Sequence, residues 1–374
     1  MTTPIKALEQ AGVAVWLDDL GRHRIQSGEL ARLVEQVGIV GVTTNPSIFA
    51  TAVRDGAEYQ DELSASTDDA ATTLHRLMVH DVQAACSVLA PAYERTNALD
   101  GRVSFEVDPR HAFDTEATIA AAQKIWRDLD RPNVMVKIPA TEAGLPAITA
   151  SLAAGISINV TLIFGIDRYR AVQDAWLSGL EQAKANGHDL STIGSVASFF
   201  VSRMDTVVDR QLDQLLNDGA ISSERHAALR GRAAVANARN AYRVFEQARE
   251  GRRWKDLEAA GALPQRPLWA STSTKDPSFA PTRYVDELVA PDTVNTMPTH
   301  TLDAVLASEI TTRSSTIDDA TTGADAALFS ELGVLGIHYD DVVNELEQAG
   351  VKAFIDSWKT LLQMVGDAQQ RAAG

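Results

Sequence analysis

Short apolar runs alternate along the chain with longer segments whose apolar residues recur every three or four positions. Eight of the runs are predicted strands, at 13–17, 39–44, 102–107, 134–138, 157–163, 192–199, 267–271 and 293–297. Helical patterns lie between them at 28–37, 69–90, 114–130, 142–154, 166–186 and 203–217. Strands that alternate with helices indicate a parallel sheet. Eight such units are the number a (β/α)8 barrel requires, so we expect an α/β protein with a TIM-barrel fold.

The spacing of these elements is uneven. The intervals 45–101 and 200–266 are too long for one helix each, and we expect extra helices in both. Residues 311–325 are polar and are predicted to form a loop, and further helices are predicted over about 326–366. The segment after the loop is too short for an independent domain. We therefore expect residues 1–374 to form a single domain.

The C-terminal stretch carries the clearest amphipathic pattern. Apolar residues at three- and four-residue steps make one helical face, which predicts that this helix packs on the body of the domain. That face is formed by Val351, Phe354, Ile355, Trp358, Leu361, Leu362 and Val365.

Polar residues interrupt one face of several predicted strands. Because strand side chains alternate between faces, Lys137, Glu106, Asn159, Thr161 and Asp18 all oppose the aliphatic faces that should contact the helices. In a barrel these five side chains would point inward, near the carboxyl ends of the strands, where barrel active sites are built.

An inward lysine and glutamate have two interpretations. Charged side chains are rarely buried without partners, so Lys137 and Glu106 could form a structural ion pair. Alternatively, desolvation favours the neutral amine of a buried lysine, and a neutral amine attacks a ketone to form a Schiff base. The protonated imine then accepts electrons while the adjacent C–C bond breaks, which requires no metal.

Composition narrows the classes of function. The chain has 374 residues and a net charge of −16, which argues against a nucleic-acid-binding surface. No apolar run reaches the length of a membrane helix, and the first residues lack an apolar signal core. The lone cysteine, Cys86, excludes an internal disulfide and indicates a reducing compartment. We expect a soluble cytoplasmic protein without membrane partners or a cofactor. We also expect no metal site, since the eight histidines show no ligand spacing.

Several segments together resemble the transaldolase family, in the order in which that family carries them. They are WLDDL (16–20), TTNPSIF (43–49), SFEVDP (104–109), VMVKIPAT (134–141), INVTLIF (158–164) and SFFVSRMD (198–205). WASTSTKDP (269–277), PDTVNTMP (291–298) and residues 342–362 resemble the last two strands and closing helices of a longer-chain bacterial subgroup.

The resemblance implies a cofactor-free barrel enzyme of the class I aldolase type. Such enzymes move a dihydroxyacetone unit reversibly from sedoheptulose 7-phosphate to glyceraldehyde 3-phosphate, giving erythrose 4-phosphate and fructose 6-phosphate. This reaction belongs to the non-oxidative pentose phosphate pathway. The partners it implies are sugar phosphates, and the family's oligomeric states predict a monomer or a homodimer.

The same resemblance implies roles for individual residues. Lys137 would be the Schiff-base lysine and Asp18 the acid/base carboxylate, while Glu106 and Thr161 would hold a proton-shuttling water. The positions implied for binding the substrate are Asn45, Asn159, Ser198, Arg203 and Ser271.

The phosphate-binding end departs from the more common family pattern. That pattern has a second arginine two residues beyond the serine at position 271, where this chain has Ser273. The nearest cation is Lys275, which we take as its substitute, with Arg203 as the first phosphate-binding cation.

Structural alternatives accompany several of these roles. Asp18 could be a helix N-cap, Asn45 a turn residue before Pro46, and Lys275 a plain loop charge. Arg203 could pair with Asp205 or Asp209 on its own helix.

At the level of the protein, one alternative is an aldolase that cleaves fructose 6-phosphate without transferring the fragment. A catalytically silent scaffold is a further one. The length of the chain and the 200–266 interval favour transfer, and the set Asp18, Glu106, Lys137 and Thr161 favours an enzyme.

Overall fold

Eight parallel strands close into a barrel, as the sequence predicts. The structure, a computed structural model, describes residues 3–45, 49–50, 53, 57–310, 314–317 and 320–373. Each strand pairs with its neighbours in chain order, and β1 pairs with β8 to close the ring. The strands are β1 (Val13–Leu17), β2 (Gly41–Val42), β3 (Arg102–Glu106), β4 (Val134–Pro139), β5 (Ile158–Ile163), β6 (Ser195–Phe200), β7 (Gln265–Ala270) and β8 (Thr293–Met297).

Helices surround the barrel and fill both long intervals, which confirms the predicted (β/α)8 architecture. They are α1 (Pro4–Gln10), α2 (Arg22–Gln26), α3 (Glu29–Arg32, continued by a π-turn at Leu33–Val37), α4 (Gln60–Ala65), α5 (Ala70–Arg95), α6 (Thr115–Leu129), α7 (Gly144–Ala153), α8 (Ile166–Ala185), α9 (Ser202–Asn217), α10 (Ser223–Leu229), α11 (Ala233–Glu250), α12 (Arg252–Glu258), α13 (Arg283–Asp286), α14 (Thr299–Leu306), α15 (Ala320–Val334) and α16 (Tyr339–Ala373). Short 3₁₀ turns lie at Ala57–Tyr59, Pro109–His111 and Leu190–Thr192. None of the helices in the described ranges is long and apolar enough to cross a membrane.

Local sequence signals explain where several helices begin. The side chain of Asp69 accepts a hydrogen bond from Thr72 N at the start of α5, and Asp114 accepts one from Ala117 N at the start of α6. Both aspartates satisfy backbone donors that a first helical turn leaves free. Along β4, Val134, Val136 and Ile138 alternate with the inward side chains and therefore face the surrounding helices. All three are fully buried and form part of the core.

One predicted strand is much shorter in the structure. The strand predicted at 39–44 shortens to Gly41–Val42, although Thr43 N still donates to Leu17 O at 2.8 Å. The ring of Trp16 covers Gly41 so closely that a Cβ there would lie 2.4 Å from it. The strand therefore needs glycine at this position, which weakens its apolar pattern.

The loop predicted at 311–325 is wrong for its last residues. Helix α15 begins at Ala320, while residues 311–313 and 318–319 lie outside the described part of the chain. Asp325 is buried in this helix and pairs with Arg243 at 3.0 Å and with Arg239 at 3.6 Å, both on α11. These long-range ion pairs support a helix in a polar segment whose local pattern favours a loop.

The long helix α16 crosses the carboxyl ends of the strands. Its apolar face is buried as predicted, with Val351, Leu361 and Val365 almost inaccessible. Phe354 lies edge-on to Phe200 of β6, with the ring centroids 6.5 Å apart. The C-terminal helix therefore contributes side chains to the end of the barrel where the inward polar residues lie.

Candidate active site

Strand register places three of the predicted polar residues in one row. Glu106 on β3 is the register partner of Lys137 on β4, and Lys137 is the partner of Asn159 on β5. Residues in register on neighbouring strands point to the same side of the sheet. The three side chains therefore meet inside the barrel because of backbone pairing.

Lys137 is held by two contacts deep in the barrel. Its Nζ donates to the backbone oxygen of Thr44 at 2.7 Å and lies 2.9 Å from Glu106 Oε1. Only 5% of Lys137 is exposed, and its Nζ lies 6.0 Å from the centroid of the Phe354 ring. An amine in this position is fixed and largely removed from water, but it still faces the open space described below.

Burial raises the pKa of the Glu106 carboxyl above its ordinary value. The charge of Lys137 and a hydrogen bond to it oppose this rise, and Asp18 adds to it. Glu106 is 4% exposed. A carboxyl of this kind exchanges a proton with a neighbouring group more readily than a solvated one near neutral pH.

Asp18 follows β1 directly and faces the same interior. Its Oδ1 accepts a hydrogen bond from Thr43 Oγ1 at 2.8 Å, and Thr43 in turn lies 2.8 Å from Thr296 Oγ1. Burial raises the pKa of Asp18, against the opposing effects of Lys137 and of hydrogen bonds from Thr43 and Asn45. Asp18 therefore caps no helix here, and its carboxyl is poised to take or give a proton near the amine.

The amide of Asn159 is fixed between two serines. Its Nδ2 donates to Ser104 Oγ at 2.9 Å, and its Oδ1 accepts from Ser198 Oγ at 2.7 Å. Thr161 Oγ1 is buried and has no hydrogen-bond partner among the described residues. Thr161 is thus a polar group inside the barrel with hydrogen-bonding capacity to spare.

A cleft of about 240 Å³ opens above Lys137. It contains most of the predicted site and several residues that the sequence did not single out. Its walls are formed by Asp18, Thr43, Asn45, Lys137, Thr161, Ser198, Phe200, Arg203, Ala270, Ser271, Ser273, Lys275, Thr296, Pro298, His300 and Phe354.

Two cations stand at the outer end of this cleft. Arg203 is the second residue of α9 and lies over the ring of Phe200, 5.1 Å from its centroid. Lys275 is exposed, and its Nζ donates to Ser273 Oγ at 2.8 Å. Partial desolvation by the cleft walls lowers the pKa of both cations, and the charge of Arg203 lowers that of Lys275 further. Two cations near each other on an open cleft suit a dianionic group such as a phosphate.

Ser271 connects the two segments that carry the cations. Its Oγ lies 2.9 Å from Ser202 Oγ, and its backbone oxygen accepts from Ser202 N at 3.1 Å. Its φ of +55° is the left-handed conformation, which costs a non-glycine residue about 1 kcal/mol or more. These bonds hold the loop after β7 against the start of α9.

The two carboxylates that could pair with Arg203 within its own helix bond to other groups in the structure. Asp205 accepts hydrogen bonds from Ala234 N at 2.7 Å and Tyr284 Oη at 2.8 Å. Asp209 accepts one from Gly231 N at 2.8 Å. Both carboxylates are thus engaged with other elements, and Arg203 is directed to the cleft.

Two predicted residues do not line the cleft. Glu106 lies behind Lys137, and Asn159 lies below Ser198, so each is one contact away from the open space. Several lining residues were not predicted as part of the site, among them Thr43, Ser273, Thr296, His300 and Phe354. Alternation along β8 could have shown that Thr296 points inward. No local pattern predicts that Phe354 lies over Lys137, because the two residues are 217 positions apart in sequence (354 − 137).

The described part of the chain contains no group of three or more histidine, cysteine, aspartate or glutamate residues arranged to hold a metal ion. The cleft offers the amine of Lys137, the Asp18 carboxyl, hydroxyls and two cations, and the Glu106 carboxyl contacts the amine from behind.

Comparison with known proteins agrees with this geometry. A family model described as transaldolase/fructose-6-phosphate aldolase matches residues 15–365. A transaldolase of Thermobifida fusca (strain YX) is 52% identical over 100% of both chains. A transaldolase of Arthrobacter sp. (strain FB24) is 52% identical over 97% of this chain and 96% of its own. One from Mycolicibacterium paratuberculosis is 52% identical over 96% and 95%.

Proposed function

The chain belongs to the transaldolase/fructose-6-phosphate aldolase family, and we propose that it transfers a dihydroxyacetone unit between sugar phosphates through a Schiff base on Lys137. The donor is sedoheptulose 7-phosphate and the acceptor glyceraldehyde 3-phosphate, and the products are erythrose 4-phosphate and fructose 6-phosphate. This places the enzyme in the non-oxidative pentose phosphate pathway. The observation that carries the proposal is the fixed, water-shielded Nζ of Lys137 at the base of the cleft.

The first step is attack by the neutral amine of Lys137 on the donor ketone. The resulting carbinolamine loses its oxygen as water, which requires a proton on that oxygen. Glu106 lies 2.9 Å from Lys137 and its raised pKa favours the acid form that gives such a proton. Thr161 supports the same step, since its buried Oγ1 can orient the leaving water.

The C–C bond breaks when the hydroxyl proton of C4 is removed. Asp18 is the carboxylate on the cleft wall that can accept it, and it returns that proton when the acceptor aldehyde arrives. Its hydrogen bond from Thr43 keeps the carboxyl turned into the interior.

Transfer requires that the three-carbon enamine stay on Lys137 until an aldehyde enters. Asn45 and Ser198 on the cleft wall can hold its hydroxyls, and Asn159 fixes Ser198 from below. Phe354 and Phe200 cover the same region with apolar surface and limit access of water.

The phosphate binds at the outer end of the cleft. Arg203 and Lys275 provide the charge, and Ser271 and Ser273 can provide hydrogen-bond donors. In this proposal Lys275 takes the part of an arginine common in the family.

The setting proposed for the enzyme is cytoplasmic. Its single thiol, Cys86, is buried and unpaired, which fits a reducing compartment. We also propose that residues 1–374 form one domain and that the protein is a monomer or a homodimer.

Reductive trapping tests the central assignment. Incubation with fructose 6-phosphate and borohydride should add a three- or six-carbon fragment to the peptide that contains Lys137, as measured by peptide mass. The Lys137→Met variant is the matched control and should remain unmodified. An unmodified wild-type chain would refute the Schiff-base mechanism, and an adduct on another lysine would refute the site.

Acceptor dependence separates transfer from simple cleavage. With fructose 6-phosphate alone, triose release should be slow, and erythrose 4-phosphate should accelerate turnover. Fast triose release without an acceptor would instead support the aldolase activity that the family's name also includes.

A further inference from the structure

A second space lies on the far side of the Lys137–Glu106 ion pair. This side cavity, of about 320 Å³, is enclosed by α5, α6, the end of β3 and α16. Among the described residues, none lines both it and the substrate cleft. Its walls are Ala71, Thr72, His75, Phe105, Glu106, Asp108, Ala121, Lys124, Ile125 and Trp358.

The ion pair is the partition between the two spaces. Lys137 lines the substrate cleft, Glu106 lines the side cavity, and their charged atoms are 2.9 Å apart. Helix α16 covers both, with Phe354 over the cleft and Trp358, one turn later, over the side cavity. The side cavity opens to solvent where three of its lining residues, Ala71, Thr72 and Lys124, are exposed.

One buried polar atom on a residue lining the side cavity lacks a partner among the described residues. Trp358 Nε1 is a donor without an acceptor, and the Glu106 carboxyl, which is paired with Lys137 through Oε1, keeps further acceptor capacity. Both residues are more than nine-tenths buried. A buried donor and a buried acceptor on the wall of one cavity are the partners that an ordered water requires.

We propose that the side cavity carries the water that Schiff-base formation at Lys137 releases and that Schiff-base hydrolysis consumes, so that water passes Glu106 while the sugar fills the cleft. This inference rests on the proposed function. A sugar phosphate bound above Lys137 would fill the substrate cleft, whereas the side cavity is lined by Glu106, whose Oε1 lies 2.9 Å from Lys137 Nζ.

Atoms and charges balance in this step. Lys137 nitrogen forms a bond to C2 of the ketone, and one of its two amine protons moves to the ketone oxygen. Glu106 in its acid form gives that oxygen a second proton, the C2–O bond breaks, and one water leaves. The iminium keeps the remaining N–H and carries the positive charge, and Glu106 is left as a carboxylate. Hydrolysis reverses each of these transfers and consumes one water.

Oxygen exchange measures this step directly. In water enriched in ¹⁸O, the C2 oxygen of fructose 6-phosphate should exchange through the Schiff base faster than in the uncatalysed control, as measured by mass spectrometry. Ala121→Phe fills the side cavity from α6, whereas Ala120→Phe places the same ring on the exposed face of that helix. We expect Ala121→Phe to slow exchange and turnover together by about tenfold, a barrier increase of about 1.4 kcal/mol, and Ala120→Phe to leave both unchanged.

Further measurements exclude a general loss of structure. Ala71→Phe fills the same cavity from α5 and should reproduce the slow exchange even if Ala121→Phe folds poorly. The affinity for inorganic phosphate, which reports on the substrate cleft, should stay the same in both variants. Exchange at the wild-type rate in both filled variants would overturn the water route and leave the Schiff base intact. No enzymatic exchange in the wild type would overturn the Schiff base itself.

Discussion

The two ends of the substrate cleft hold their charges in different ways. At the inner end, Lys137 is 5% exposed and fixed by Thr44 O and Glu106. At the outer end, Lys275 is exposed and bonds to Ser273, two residues away on its own loop. The inner lysine and glutamate are placed by strand register, and the outer cations by the first turn of α9 and the loop after β7.

This difference determines what a substitution does at each end. A buried charge that loses its partner cannot be hydrated, so a change at the inner end affects both chemistry and stability. An exposed cation is hydrated and screened by salt, so a change at the outer end affects substrate affinity alone. We therefore expect that one cation can replace another at the outer end.

The largest expected effect is that of Lys137→Met. Removing the amine removes the covalent intermediate, and turnover should fall by about 10⁴-fold or more. The free energy of unfolding should also fall by roughly 3 kcal/mol because Glu106 loses its partner, as measured by chemical denaturation. Lys137→Met combined with Glu106→Gln is the control, which should recover stability without activity. Substantial residual turnover would show that another group carries the reaction.

Asp18→Asn should have the next largest effect. An amide cannot accept the proton from the C4 hydroxyl, so kcat should fall by about 10³-fold, within the range for lost acid–base catalysis. The borohydride adduct on Lys137 should still form, because Schiff-base formation precedes this step. Thr43→Val, which removes the hydrogen bond to Asp18, is the milder comparison. A variant that fails to form the adduct would place Asp18 in an earlier step.

The barrel and the inner site can be predicted from sequence because their signals are local. Alternation along β4 and β3 identifies Lys137 and Glu106 as inward, and register then brings them together. The short strand Gly41–Val42 is harder to detect, because its glycine is required by the approach of Trp16.

Residues that reach the site through tertiary packing could not be predicted in this way. Phe354 comes from a helix whose amphipathic face shows that it packs, but its pattern does not say against which strands. The side cavity is a space between four elements, and no single segment encodes it. The residues at the outer end lie at the start of α9 and in the loop after β7, and their relative placement depends on contacts such as Ser202–Ser271.

A moderate effect is expected from Lys275→Ala. Losing one exposed phosphate contact should raise KM for fructose 6-phosphate by about tenfold, or about 1.4 kcal/mol, with kcat unchanged. Lys275→Arg is the matched control and should restore KM, since it keeps the charge. In the wild type, added salt should raise KM and leave kcat unchanged, and this dependence should weaken in Lys275→Ala. A fall in kcat instead would mean that Lys275 takes part in the chemistry.

The smallest expected effect is that of Asp18→Asn on stability. This substitution should lower activity but raise the free energy of unfolding. Burial raises the pKa of Asp18 above 3.8, so the folded chain binds its proton more tightly than the unfolded chain does. Stability therefore falls as pH rises from about 3.8 through the raised pKa, and the ionised Asp18 destabilises the fold at neutral pH. Asp18→Asn should increase the free energy of unfolding at pH 7 by on the order of 1 kcal/mol. The gain should disappear below pH 3.8, where the carboxyl is protonated in both states, and Lys275→Ala should show no such gain at either pH. Equal stability of Asp18→Asn and the wild type at pH 7 would mean that the ionised Asp18 carboxyl does not lower the free energy of unfolding. The two ends of the cleft would then differ in their part in the reaction and not in stability.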